Sequence, residues 1–233
     1  MGVRLSKTGQ IVQIVALLII LCIGIINRDS IGAALNKPVN EDVILAAQQR
    51  SSNILNDKTV DSCVRLLKSG DLVVRTGTGI SSYMLCTMNQ YDKTYSHCGI
   101  VAIENGYPFV YHSIGGEDNP DARVRRDSAN FFFSPYNNMG FGIARYDLNE
   151  AGVNKLLQKA RQYYIEKRKF DMDFDLKTDD RLYCAELVYK ALLSATGDST
   201  YVRPTRVMGY TFVGVDNLYL SPHAKLICQI KFK

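Results

Sequence analysis

The sequence predicts one domain of mixed helices and antiparallel strands, and two pairs of stretches carry that reading. HCGIVAI and PFVYHSIGG are apolar runs joined through ENGY, with Asn105-Gly106 as a two-residue hairpin turn. EAGVNKLLQKARQYYIEKRK and RLYCAELVYKALL instead repeat their apolar residues at helical spacing. With 46% hydrophobic and 22% charged residues, a chain of 233 suits one sizeable core.

The elements follow in order. At the N-terminus Arg4 and Lys7 precede an apolar run from Ile11 to Ile26 in which Gln13 is the only strongly polar residue. That pattern predicts a membrane anchor or signal segment over 1–28, with the uncleaved anchor favoured over cleavage and secretion. Positive charge on the N-terminal side sends the remainder across the membrane, so the domain is expected outside the cytoplasm, in the periplasm or at the cell surface. A linker over 29–39 leads to the domain at 40–233. Asn40 is set to cap a helix through EDVILAAQQRSSNILNDKTVDSCVRLL. SGDLVVRTG is a strand opened by a Ser-Gly turn, and SSYMLCTMNQYDKTYS is irregular or partly helical. After the hairpin, 115–140 is expected as a long surface loop whose Phe131, Phe132 and Phe133 reach the core. FGIARYDL is a strand. In the next helix Leu156, Leu157, Ala160, Tyr163 and Tyr164 share a side. KFDMDFDLK alternates strictly, which predicts a half-buried strand with its Asp residues in water. The helix of Cys184 has Asp179 and Asp180 as cap candidates and stops near Gly197. TFVGVDNLYL and AKLICQIKFK read as short strands.

The charge and the cysteines narrow the function. A formal net charge of +5 is gathered into no basic stripe, which argues against nucleic acid as a partner. Six Cys form no Cys-x-x-Cys pair; with Cys22 in the apolar segment, five remain and at least one thiol is free. DMDFDLKTDD spaces its Asp like a calcium loop, but Leu176 stands where such a loop needs Gly and Leu182 where it needs Glu. Only His97, His112 and His223 offer an imidazole.

The hairpin places two of those three together. If Asn105-Gly106 is the turn, pairing runs outward from Glu104 and Tyr107 and puts His112 opposite Gly99. His97, Gly99, His112 and Ile114 then share one face, while Cys98, Ile100, Tyr111 and Ser113 take the other. His97 and His112 become diagonal neighbours across the gap left by Gly99. That supplies the base and orienter of a nucleophile–base–orienter set. Cys184, near a helix N-terminus, can supply the nucleophile, because the helix dipole and a nearby imidazolium both favour the thiolate. A lone Cys on a helix is more often core, and one Cys with two His can also bind zinc with an open fourth position.

GDLVVR (70–75), YSHCGIV (95–101), VYHSIGG (110–116) and DLKTDDRLYCAELVYKAL (175–192) together resemble the circularly permuted papain-like amidases of the YaeF/YiiX type, distant relatives of the NlpC cell-wall peptidases. The resemblance covers about 65–220. It implies an α+β fold, an antiparallel sheet packed against the helix that bears the nucleophile. It implies Cys184 as nucleophile, His97 as general base and His112 in the third, polar position, with no cofactor and no metal required. The expected activity is hydrolysis or acyl transfer at an amide, thioester or ester, on cell-wall peptide or lipid-like acyl substrates. The rival expectations are the zinc site on the same three residues and a non-catalytic, membrane-anchored lipid- or peptide-binding domain. As the alternative to a plain surface loop over 115–140, Phe131, Phe132 and Phe133 would line an acyl-chain groove bordering His112, and Arg123, Arg125 and Arg126 would meet anionic groups.

Overall fold

The structure, a computed structural model, describes residues 41–115, 123–207 and 209–233. The chain divides into two compact units, Met1–Leu45 and Ala46–Lys233. Of the first, 41–45 are described and are helical. The second holds everything that follows.

Among the described residues the helices are α1 (Glu41–Ser52), α2 (Ile54–Val64), α3 (Ile80–Met88), α4 (Ala129–Phe132), α5 (Glu150–Ile165), α6 (Cys184–Thr196) and α7 (Val215–Tyr219). The strands are β1 (Leu72–Gly77), β2 (His97–Glu104), β3 (Tyr107–Ser113), β4 (Val124–Ser128), β5 (Asn138–Tyr146), β6 (Thr205–Val207), β7 (Tyr210–Phe212) and β8 (Ala224–Lys231). Six strands form an antiparallel sheet in the order β4-β3-β2-β1-β5-β8, and β6 pairs with β7 apart from it.

The sheet buries both faces. Leu72, Val74, Cys98, Ile100, Tyr111 and Ala144 meet the apolar stripes of α5 and α6. Their alternates Val73, Val101, Val110, Phe141 and Ile143 meet Val60 and Cys63 of α2, Phe132 of α4, and Phe133. Burial on two sides explains why β1 and β2 read as near-continuous apolar runs. The arrangement is α+β with an antiparallel sheet against the helix of Cys184.

The α5 and α6 helices form where the periodicity puts them. Asn149 caps α5 by accepting from Gly152 N at 2.8 Å, and Gly197, at φ 70°, closes α6. Other expectations need correction. The first long helix is two, because Asn53 turns extended and caps α2 through Leu55 N. Residues 170–176 are not a strand. Asp171 is buried, and its carboxylate accepts from Asp173 N at 2.9 Å and Asp175 N at 2.7 Å, coiling the chain about an inward acid. The surface loop contains β4 and α4: Phe132 and Phe133 are buried, and Phe131 is exposed. TFVGVDNLYL is β7 followed by α7, in which buried Asp216 accepts from Gln90 N and Tyr91 N.

Among the described residues no helix is long and apolar enough to cross a membrane. The longest, α5, has 16 residues and is amphipathic, whereas a span needs about 20 apolar ones. This corrects the expected transmembrane helix, the membrane as partner, and the membrane-anchored extracytoplasmic placement. The segment 1–28 behind those expectations, the linker 29–39 and the Asn40 cap lie outside the described residues.

Candidate active site

The hairpin sets the site. Asn105 and Gly106 both take positive φ, 51° and 83°, the geometry of a two-residue turn that matches strand twist. Pairing then runs from Glu104↔Tyr107 to Ile100↔Tyr111. Gly99 is required at its position. A Cβ there would sit 2.5 Å from Val110 Cγ1, 2.8 Å from the Tyr111 carbonyl oxygen and 3.0 Å from His112 Cβ.

Across that gap His97 Nε2 lies 2.9 Å from His112 Nδ1, with the rings nearly perpendicular at 80°. His112 Nε2 lies 3.0 Å from Asp127 Oδ2 on β4, whose other oxygen accepts from Arg125 Nη2 at 2.9 Å. Phe132 packs against both imidazoles, with ring centroids 5.6 Å from His97 and 5.2 Å from His112. Arg75, paired with His97 across β1 and β2, stacks on Phe132 at 4.6 Å. These groups share the sheet face that carries α2 and α4.

The electrostatics follow from burial. Burial first, then the Arg75 and His112 charges, hold the His97 pKa well below the usual imidazole value. Burial also lowers His112, against the pull of Asp127. Burial opposes the Asp127 charge, yet the hydrogen bonds from His112 and Arg125 outweigh it and keep the carboxyl low. Asp127 is therefore ionised and both imidazoles are neutral near pH 7. An ionised Asp127 can only accept, so His112 carries its proton on Nε2 and accepts at Nδ1. His97 then donates from Nε2, which leaves the lone pair on Nδ1.

Cys184 opens α6 on the other sheet face. Tyr183 caps the helix with extended backbone and donates its N–H to Glu186 Oε2 at 3.1 Å; Asp179, a cap candidate, instead pairs with Lys190 at 2.6 Å. Ser113 Oγ donates to Leu182 O at 2.6 Å and ties the entry of α6 to β3. The buried Cys184 sulfur rests on Cys98. The Cys98 thiol is the largest influence lowering its pKa, and it outweighs burial with help from the backbone N–H groups of Cys98, Ala185 and Cys184. Cys98 moves the opposite way, well up, by burial and by Cys184. Among the described residues no hydrogen bond joins Cys184 to an imidazole. His97 and His112 thus meet, while Cys184 sits against Cys98, one residue along β2 from His97.

Sequence reasoning missed Cys98, Asp127 and Arg75. Cys98 shares parity with Ile100 and Ala102, the face that α6 packs on. Asp127 lies two residues beyond Arg125, which pairs with His112. Arg75 closes the GDLVVR strand.

A zinc ion does not fit. Two of the ring nitrogens bond each other and a third faces Asp127. Among the described residues no cluster of three or more His, Cys, Asp or Glu is arranged to hold a metal.

No family model matches the sequence, and no curated protein does. Among solved structures the chain is similar to the crystal structure of the metalloprotein yiiX from Escherichia coli O157:H7. The TM-score is 0.58 at 18% identity, over 70% of this chain and 98% of that one. A likeness at that identity speaks for the fold: a yiiX-like α+β architecture.

Proposed function

We propose that this chain is a cysteine hydrolase or acyl transferase of the permuted papain-like, NlpC-related kind, acting on an amide, thioester or ester. The observation that carries the reading is the chain Asp127–His112–His97, which leaves an unprotonated Nδ1 on the residue next to Cys98, where the Cys184 sulfur rests.

In this reading Cys184 is the nucleophile and His97 the base. The two lie on opposite faces of β2 but each at the first residue of its element, so they meet round the strand end by a shift of backbone there, and the sulfur then passes its proton to Nδ1. The thiolate attacks the carbonyl carbon, and the carbonyl π electrons move to oxygen. In this reading the N–H groups of Cys184 and Ala185, which interact with the sulfur at the start of α6, hold the oxyanion. Protonated His97 then gives its proton to the leaving group as the bond to carbon breaks. Water or an acceptor, deprotonated by His97, resolves the acyl-enzyme. His112 and Asp127 hold the tautomer throughout. No step passes through a metal.

The test is acylation of the full chain by an activated acyl ester, with adducts located by peptide mass mapping. Cys184 is expected to label faster than Cys63 and Cys228; burial pushes the Cys228 thiol up to about 12. Labelling of Cys184 no faster than these two, or a pattern unchanged in Cys184→Ala, refutes the enzyme reading in favour of a non-catalytic binding domain.

A further inference from the structure

Beside the imidazoles lies a cleft of about 320 Å³, lined by Arg75, Ser82, Ser96, His97, Arg125 and Asn137 among others. Its charges are unequally matched. Arg125 is paired with Asp127, and Asp127 also takes His112. Arg75 has no such partner. Its Nη1 donates only to neutral acceptors, Phe132 O at 3.3 Å and Asn138 Oδ1 at 3.4 Å. Among the described residues no carboxylate lies within ion-pair distance of it.

Burial lowers the Arg75 pKa to about 10, which still leaves it charged at neutral pH. A half-buried guanidinium with most of its donors free is costly unless something anionic completes it. Phe132 stacks on the guanidinium, its ring centroid 4.6 Å from the central carbon. His97 lines the same cleft, so an anion bound there would lie beside the proposed base.

We propose that Arg75 receives the free carboxylate of the substrate, so that the acyl compound is an acylated amino acid or short peptide whose charge lies in the cleft beside His97. This rests on the reading of Cys184 as nucleophile. A planar fork matches a carboxylate in bidentate fashion. The cleft is at the small end of ligand sites, and Ser82, Ser96 and Asn137 give it polar walls, which suits a compact acid better than a lipid headgroup with its chains.

Binding can be read without turnover, on the full chain carrying Cys184→Ala, by calorimetric titration with N-acetylalanine, its uncharged methylamide and glycerol 3-phosphate. The acid is expected to bind about tenfold more tightly than the methylamide, as a charge-assisted bond implies. Arg75→Met should erase that ratio and Arg75→Lys should keep part of it. Equal binding of acid and methylamide, binding of neither, or a ratio that survives Arg75→Met overturns the proposal. Tighter binding of glycerol 3-phosphate overturns the carboxylate assignment. The same comparison of acid with methylamide on the wild-type chain needs no variant to fold. The nucleophile reading fails separately, by absence of the Cys184 adduct.

Discussion

At the scale of residues, Asp127 changes what His112 can do. An imidazole in the third position brings no negative charge, but with Asp127 behind it the proton positions on two rings are set from one carboxylate. An Asp127→Asn variant presents an amide that can donate to His112 Nε2. The proton pattern then inverts and leaves His97 Nδ1 protonated. The expected result is a fall in kcat of about 10–100-fold with little change in KM. A nitrogen-15 spectrum should show the Nδ1–H tautomer of His97; an unchanged tautomer would remove Asp127 from the relay. His97 and His112 were legible because strand alternation needs only a correct turn. Asp127 was not, because RVRRDS has one apolar residue in six and forms an edge strand covered by few neighbours. Its pairing with β3 is a tertiary fact.

At the scale of elements, the β2–β3 hairpin is held open by one missing side chain. Gly99→Ala sets a Cβ against Val110, against the Tyr111 carbonyl, and against His112. Backbone cannot swing aside as a side-chain tip can, so the strands must splay. A loss of about 1–3 kcal/mol in urea unfolding is expected, along with loss of the His97–His112 bond. Stability within about 0.5 kcal/mol of wild type would show that the strands tolerate the methyl. The helices α5 and α6 were readable because long apolar stripes outlast local exceptions. The alternation in 170–176 misled for the opposite reason. Its period of two was carried by acids, and Asp171 satisfies backbone N–H groups indoors instead of facing water. Asn53 likewise ended a helix through its own side chain, where the flanking pattern continued.

At the scale of the whole molecule, the site titrates against the fold. Burial holds both imidazoles below the ordinary value of 6.5. The unfolded chain takes up protons near 6.5 that the native state refuses, so the unfolded state binds more protons and stability rises with pH. The full contribution is present above 6.5 and is lost as pH falls below it, by up to about 1.4 kcal/mol per pH unit for each imidazole. Urea midpoints between about pH 8 and pH 5.5 should show this slope, and His112→Gln should flatten it. A profile flat over that window in the wild type would mean the imidazoles are wet. The α+β layering was legible from the elements, since a hairpin and two amphipathic helices leave few ways to bury both kinds of face. Membrane attachment was an inference from the charge and apolar pattern of 1–28, which lies outside the described residues, and no described helix supports it.

The two β2 residues that the proposed chemistry draws on are consecutive, His97 on one face of the sheet and Cys98 on the other. Correct function therefore depends on the fidelity of folding as well as on stability. A chain that settled with β2 advanced by one rung would exchange the two faces, turning a thiol toward His112 and an imidazole under α6. Such an isomer could remain compact and protease-resistant while being chemically silent, so specific activity per folded molecule, and not yield of soluble protein, is the measure of a well-made preparation.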